Sequence, residues 1–288
     1  MLRITWDVIV RVGRDGYGAV MTTAGALLRE WRLRRNRSQL SLAVDAGVST
    51  RHLSFVETGR SRPSPELLLT LADHLDVPLR ERNALLLAAG YAPRYGESSL
   101  DDGRMAAVRA SLQRLLDAHH PYPGVLVDRR WDVVAANEAA MMLMAGLPES
   151  LTARPNIYRL SLHPDGLAGV TLNFTDWAAY LVQQLRRSVR STGDPRVAAL
   201  LDEVLAYPDV ARLQPLLDVA DWSDPPLLVP FRLASPVGEV AMFTTLTSFG
   251  TPRDVTLDEL VVELFYPADD VSAERLERLT GGLRAGAG

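Results

Sequence analysis

Residues 47–64 read GVSTRHLSFVETGRSRPS. The stretch contains a short helix together with its start and stop signals. Gly47 ends the preceding element, Ser49 is placed to cap a helix over Thr50 to Thr58, and Gly59 closes it. Leu53 and Val56 form its inward stripe. At ~100° per residue, the opposite face centres on Arg51, Phe55 and Thr58, with Thr50 and Ser54 flanking. An outward arginine one turn from an outward phenylalanine calls for an explanation, which the flanking sequence supplies.

Upstream, Ala24 to Arg35 carries Leu27, Leu28, Trp31 and Leu33 among arginines. Ser38 then caps a second helix, Gln39 to Ala46, with Leu40, Ala43 and Val44 expected inward. Downstream, Ser64 with Pro65 at the first helical position starts a fourth helix through Leu67, Leu68, Leu71 and Leu75. Pro78 opens a fifth, through Leu85, Leu86 and Leu87 to Gly90. Short helices with such brief connections predict a compact all-helical domain. The second and third are joined through Gly47-Val48-Ser49 in a helix-turn-helix arrangement.

That arrangement gives the outward face a chemistry. Arg51 suits bidentate contact with guanine in a major groove, and Phe55 suits a thymine methyl. Phe55 has an equal alternative, packing against a flanking domain or a dimer partner. Gln39, Ser49, Arg60 and Arg62 stand where they can donate to phosphates. Charge agrees in direction: residues 21–95 carry a net +4 and residues 96–288 a net -9, within a chain of net charge -4. A basic segment ahead of an acidic body points to the first part as the one that meets a polyanion.

The stretch SQLSLAVDAGVSTRHLSFVETGRSRPSPELLLTLADHLDVP resembles the helix-turn-helix of Xre and phage-repressor type. The resemblance is carried by Gln39, Ala43, Gly47, Val48, Ser49, Leu53, Val56, Glu57, Gly59, Arg60, Pro63 and Leu71, and covers residues 24–90. It implies that Gln39 and Ser49 contact phosphates. It implies that Thr50, Arg51 and Phe55 read bases, with His52 and Ser54 at the margin. Family members often carry a polar residue where Phe55 stands.

From Tyr91 to Gly103, YAPRYGESSLDDG is rich in turn and polar residues and marks a joint. Beyond it a helix is expected near Met105 to His119. Val125 to Val127 and Trp131 to Ala135 flank Asp128-Arg129-Arg130 as a tight β-hairpin. Asn137 stands at the cap of the helix EAAMMLMAGL. Helices follow over Thr175 to Ser191 and Pro195 to Tyr207. Three antiparallel strands close the pattern: Leu227 to Leu233, Glu239 to Ser248 and Glu259 to Tyr266. A sheet with helices on one face is α+β.

LLLAAGYAPRY followed by PGVLVDRRWDVVAAN resembles MmyB-like regulators, which join an Xre-type domain to a PAS-like ligand-binding domain. The resemblance covers roughly 105–266 and is strongest at the hairpin. It implies a cavity for a fatty-acyl or other lipid-like ligand. Met141, Met142 and Met144 read as helix core or as a deformable pocket wall. Trp131, Val133, Trp177, Leu181, Phe231 and Phe243 read as core, some of them lining that cavity.

Several chemistries have no residues to rest on. The chain has no cysteine, so a disulfide framework, a thiolate nucleophile and a cysteine-rich zinc site are excluded. It also has no lysine: all thirty-one basic side chains are arginine. His119 and His120 are adjacent, so they do not share a helix face for a metal. His163 sits in a turn. GRDGYG at 13–18 lacks the ending of a phosphate loop. No Ser-His-Asp set has a nucleophile-elbow context. No apolar run approaches the ~20 residues of a membrane span. The first residues, MLRITWDVIVRVG, lack a signal-peptide cleavage pattern. The chain is therefore read as cytoplasmic, not an enzyme, and without cofactor or metal.

The expected organisation is an N-terminal extension at 1–20, either an upstream start or an added strand, then a mainly α five-helix helix-turn-helix domain at 21–95. A linker at 96–104, an α+β PAS-like domain with an antiparallel sheet at 105–270 and a helix or tail at 271–288 complete it. The expected function is a one-component transcription regulator, dimeric on a roughly palindromic double-stranded DNA operator, responsive to a small apolar ligand such as a fatty acid. The rival reading is a lipid or metabolite carrier or adaptor that does not bind DNA, which the net acidity favours.

Overall fold

The computed structural model describes residues 23–219 and 228–281. The N-terminal extension and Leu227 lie outside the described residues. The chain divides into two compact units, with the division between Arg94 and Tyr95.

The first unit is all helical: α1 (Ala24–Arg34), α2 (Gln39–Asp45), α3 (Thr50–Glu57), α4 (Pro65–His74) and α5 (Leu79–Ala88). Thr23, Ser38, Ser49 and Ser64 each cap a helix, their hydroxyls accepting from Ala26, Ser41, His52 and Leu67 backbone N–H groups. Such caps satisfy donors a helix start leaves unpaired. Leu28, Trp31, Leu42, Leu53, Val56, Leu71 and Leu85 form the shared core. Gly25 lets α1 approach α3 closely: a Cβ there would stand 2.2 Å from the Val56 carbonyl oxygen. The expected inward face of α2 is corrected. Leu42 and Ala43 are buried, while Leu40 and Val44 are 63% and 67% exposed. In seven residues two stripes compete, and the neighbouring helices select the one centred on Leu42. Leu33 of α1 is also exposed.

The second unit begins with α6 (Ala106–Ala118), which packs on the hairpin of β1 (Gly124–Val127) and β2 (Val133–Ala136). Short helices α7 (Glu138–Met144), α8 (Glu149–Thr152) and α9 (Ile157–Leu162) lead to α10 (Phe174–Thr192) and α11 (Pro195–Leu205). After α12 (Pro208–Ala211) and α13 (Gln214–Val219) come β3 (Phe231–Ser235) and β4 (Gly238–Ser248). The single helical turn α14 (Val255–Asp258), β5 (Val261–Pro267) and α15 (Asp270–Gly281) finish the unit. The five strands form one antiparallel sheet in the order β2-β1-β5-β4-β3.

Alternation along the strands sorts the sheet's faces. Val125, Val127, Phe231, Val240, Met242 and Phe265 face a large core with Trp177, Leu181 and Leu185 of α10. Leu126 and Val262 face the other way, onto Leu112 and Leu116 of α6. Helices therefore cover both faces, not one as expected, because α6 takes the hairpin side.

Three strand starts also move, and β3 begins at Phe231, with residues 228–230 outside any strand. Trp131 is not in a strand: it has φ +66 and ends a turn in which the Asp128 carboxylate accepts from the Arg130 and Asp132 backbone N–H groups. Glu259 follows α14, whose start is capped by Asp254. It accepts from Arg129 at 2.7 Å, and Arg129 also donates to buried Asp194 at 2.7 Å. Asn137 caps α7 as expected and does more. Its oxygen accepts from Gly124 and Ala140, and its nitrogen donates to the Leu116 and Tyr122 carbonyls. Every hydrogen-bonding position of that buried amide is used.

Candidate nucleic-acid interface and ligand cavity

On α3, Leu53, Val56 and Glu57 are buried while Arg51 is exposed and Thr50, His52, Ser54 and Phe55 are half-buried. The structure thus brings Thr50, Arg51, His52, Ser54 and Phe55 onto one accessible helix surface. The Ser49 hydroxyl accepts the cap bond from the His52 backbone N–H at 3.1 Å, which leaves its own O–H to donate. Arg51 and Arg60 both lie over the Phe55 ring, 5.3 Å and 5.9 Å from its centroid.

Gln39 is held from behind. Its amide nitrogen donates to Glu57 at 2.8 Å, leaving its second N–H for another acceptor. Glu57 in turn accepts two bonds from Arg32, at 2.6 Å and 2.8 Å, and both side chains are buried. Arg32 also donates to the Arg37 carbonyl. The hydrogen bonds to Glu57 hold the Arg32 guanidinium above its ordinary pKa. Sequence reasoning did not single out Arg32 as part of this site. Its signal was an arginine at an inward position of α1, one residue from Trp31.

Arg62 is separated from the rest of the group. It donates to the Ala89 carbonyl at 2.8 Å and lies 4.8 Å over the Tyr91 ring, clasping the end of α5.

In the second unit a cavity of about 440 Å³ lies between α7, the 168–170 turn, the β3–β4 hairpin and α15. Its walls are mainly apolar and include Met142, Leu147, Val170, Met242, Leu276 and Leu279, with Ser235 and Thr280 as polar points. Of the nine apolar residues read from sequence as ligand candidates, Met142 lines this cavity. Trp131, Trp177, Leu181 and Phe231 are buried in the main core, and Val133 is half-buried against it. Met144 is half-buried and Met141 is 54% exposed. On α7, Ala139, Met142 and Leu143 share the inward face, which turns Met141 outward. Phe243 faces away from the core because its neighbour Met242 faces in; it stacks on Tyr266 at 5.4 Å. The missed wall residues Leu276 and Leu279 lie at i, i+3 on α15, a segment read only as a helix or tail.

The core next to the sheet holds polar atoms. Glu263 sits between Val261 and Phe265 on the inward face of β5 and is 3% exposed. Burial pushes its carboxyl up to about 7, opposed by a hydrogen bond with Thr244. Among the described residues its Oε2 has no partner, and neither has the buried indole nitrogen of Trp177. Tyr158, also buried, donates to Gln184 at 3.4 Å, and burial raises its hydroxyl well above the usual range.

His119 packs into the structure. His119 Nε2 meets the Phe265 carbonyl at 2.8 Å, and its ring lies edge-on to Tyr122 and Tyr266. Among the described residues no His, Asp or Glu group is arranged to hold a metal ion. Among them, too, no helix is long and apolar enough to cross a membrane.

The family model of the MmyB-like transcription regulator ligand binding domain matches residues 108–279. A helix-turn-helix family model matches residues 28–82. No curated protein matches the chain. Among solved structures, the chain is similar to the clp gene regulator ClgR from Corynebacterium glutamicum, at 28% identity. That match covers 37% of this chain and 99% of the other, with a TM-score of 0.22.

Proposed function

The chain belongs to the MmyB-like transcription regulators, and from that premise we propose a one-component switch in which one small apolar ligand governs operator binding. The observation that carries the reading is an apolar cavity in a ligand-binding domain that shares its chain with a helix-turn-helix. At about 440 Å³ the cavity is of the size that holds small ligands. Its lining suits an acyl chain, and Ser235 and Thr280 bring hydroxyls to its wall. The sheet order β2-β1-β5-β4-β3 supports the PAS-like reading.

The DNA half of the switch is the α3 surface. In this reading α3 lies in a major groove, Arg51 reads a base, and Ser49, Gln39 and Arg60 face phosphates. Arg62, engaged with the end of α5, contributes less. The working unit is a homodimer on a two-fold-related operator, the usual arrangement for this motif. Ligand acts by favouring one population of dimers over another, so its effect equals its differential affinity for the two. Leu276 and Leu279 put α15 in direct contact with the ligand.

The test has two parts. Solvent extraction and native mass spectrometry of the purified full-length protein are expected to release an apolar molecule. Leu279→Trp, which fills the cavity, is expected to abolish its capture. A footprint upstream of the protein's own gene is expected to show two-fold-related protection that shifts when the extracted molecule is added back. Protection that ignores the added molecule would sink the switch, and the absence of any protected sequence genome-wide would sink the DNA half.

A further inference from the structure

Phe55 is the residue on α3 that fits least well with a polar reading surface, and its surroundings give it a task. Arg51 lies one turn before it on the same helix, with its guanidinium 5.3 Å from the ring centroid. Arg60 reaches the ring from the other end, at 5.9 Å. Both distances are within the ~6 Å at which a ring's negative face attracts a cation. The second approach depends on the chain reversal after α3. Gly59 takes φ +72, and the Arg60 and Ser61 backbone N–H groups both donate to the Phe55 carbonyl, at 2.8 Å and 3.1 Å. One residue therefore anchors the turn with its backbone and the two guanidinium groups with its ring.

How these arginines are held matters as much as that they are held. Arg32, Arg34, Arg37 and Arg82 each pair with a carboxylate. Among the described residues, no ion pair engages Arg51 or Arg60. A carboxylate orders an arginine but cancels its charge. An aromatic face orders it and leaves the charge, and the N–H edge, available to a phosphate or a guanine. Holding a long side chain in advance also removes ordering that binding would otherwise have to supply.

We propose that Phe55 is a positioning residue, a platform that holds Arg51 and Arg60 in place for DNA and does not itself read a base. The inference rests on the DNA-binding reading above. It replaces a choice between thymine contact and protein docking with a third role.

The test uses the full-length protein and a duplex selected by it from a random-sequence library. Phe55→Leu keeps apolar bulk and removes the ring; Phe55→Tyr keeps the ring. Phe55→Leu is expected to weaken binding of the selected duplex about tenfold, or about 1.4 kcal/mol. The loss should include discrimination at a guanine, the base Arg51 would read. Phe55→Tyr is expected to restore parental binding. Without DNA, the arginine side-chain N–H resonances of Arg51 and Arg60 should shift in Phe55→Leu and stay put in Phe55→Tyr. The inference is overturned if Phe55→Leu binds like the parent, if Phe55→Tyr is as weak as Phe55→Leu, or if the preference lost is for a thymine. A parent protein that selects no duplex would instead overturn the DNA reading itself, and the platform's purpose with it.

Discussion

Glu57 and Glu263 are buried glutamates, one in each unit, and their surroundings treat them in opposite ways. Glu57 accepts two bonds from Arg32 and one from Gln39, so α1, α2 and the end of α3 meet on one carboxylate. Among the described residues Glu263 has no cation beside it and one oxygen without a partner, and burial pushes its carboxyl up to about 7. A buried charge is costly unless paired, and an unpaired carboxyl responds by holding its proton. The first arrangement fixes one geometry, as would suit the surface proposed above to meet a duplex. The second leaves hydrogen-bonding capacity inside a ligand-binding domain that its own fold does not use.

The largest effect is expected from breaking the paired member. Glu57→Ala leaves Arg32 buried without its carboxylate and should cost about 3–5 kcal/mol. Denaturant unfolding of the full chain, read by hydrogen exchange at N-terminal amides, measures it. Arg32→Met with Glu57→Leu replaces the whole pair by apolar groups and should recover most of the loss. If the double variant is as unstable as the single one, the pair does more than neutralise itself.

The unpaired member should show itself through pH. Glu263 has a folded pKa of about 7 against an ordinary value of 4.5, so the folded state binds its proton more tightly. Its contribution is therefore fully present below about 4.5 and is lost as pH rises through about 7, a change of about 3 kcal/mol. Glu263→Gln should remove that slope from the stability of the C-terminal unit between about pH 4.5 and pH 7. A profile that Glu263→Gln leaves unchanged would show that the fold does not hold the Glu263 carboxyl above its ordinary pKa.

The two units also differ in how much could be read beforehand, and the reason is physical. Ser38, Ser49, Ser64, Gly59 and Asn137 are legible because capping and turn chemistry act within a few residues. The helix-turn-helix is made almost wholly of such signals. Leu40 and Val44 turn outward against expectation because two turns of helix do not determine which stripe faces in. In the second unit the decisive facts are nonlocal. Glu263 faces the core because β5 pairs with β1 in one register, Val125 opposite Glu263. A slip of one residue would put it on the other face. Leu276 and Leu279 become a cavity wall only because α15 packs on β4 and β5. Phe243 and Met141 were read by residue type, and type does not tell which way a side chain points.

The smallest expected effect tests the link from the paired glutamate to the reading surface. Gln39 is half-buried and gives Glu57 one hydrogen bond among three. Because the Arg32–Glu57 pair survives its removal, Gln39→Ala should cost about 1 kcal/mol of stability. If its free N–H meets a phosphate, the variant should also weaken binding of every duplex to a similar extent, since a phosphate contact carries no sequence information. Gln39 is neutral and releases no counterion, so the slope of affinity against salt should stay as in the parent. Arg60→Ala, by contrast, should lower that slope by about 1. A salt slope that changes with Gln39→Ala would mean that loss of Gln39 disturbs the arginines too, and that the Glu57 network holds the charged side of the surface as well as its neutral edge.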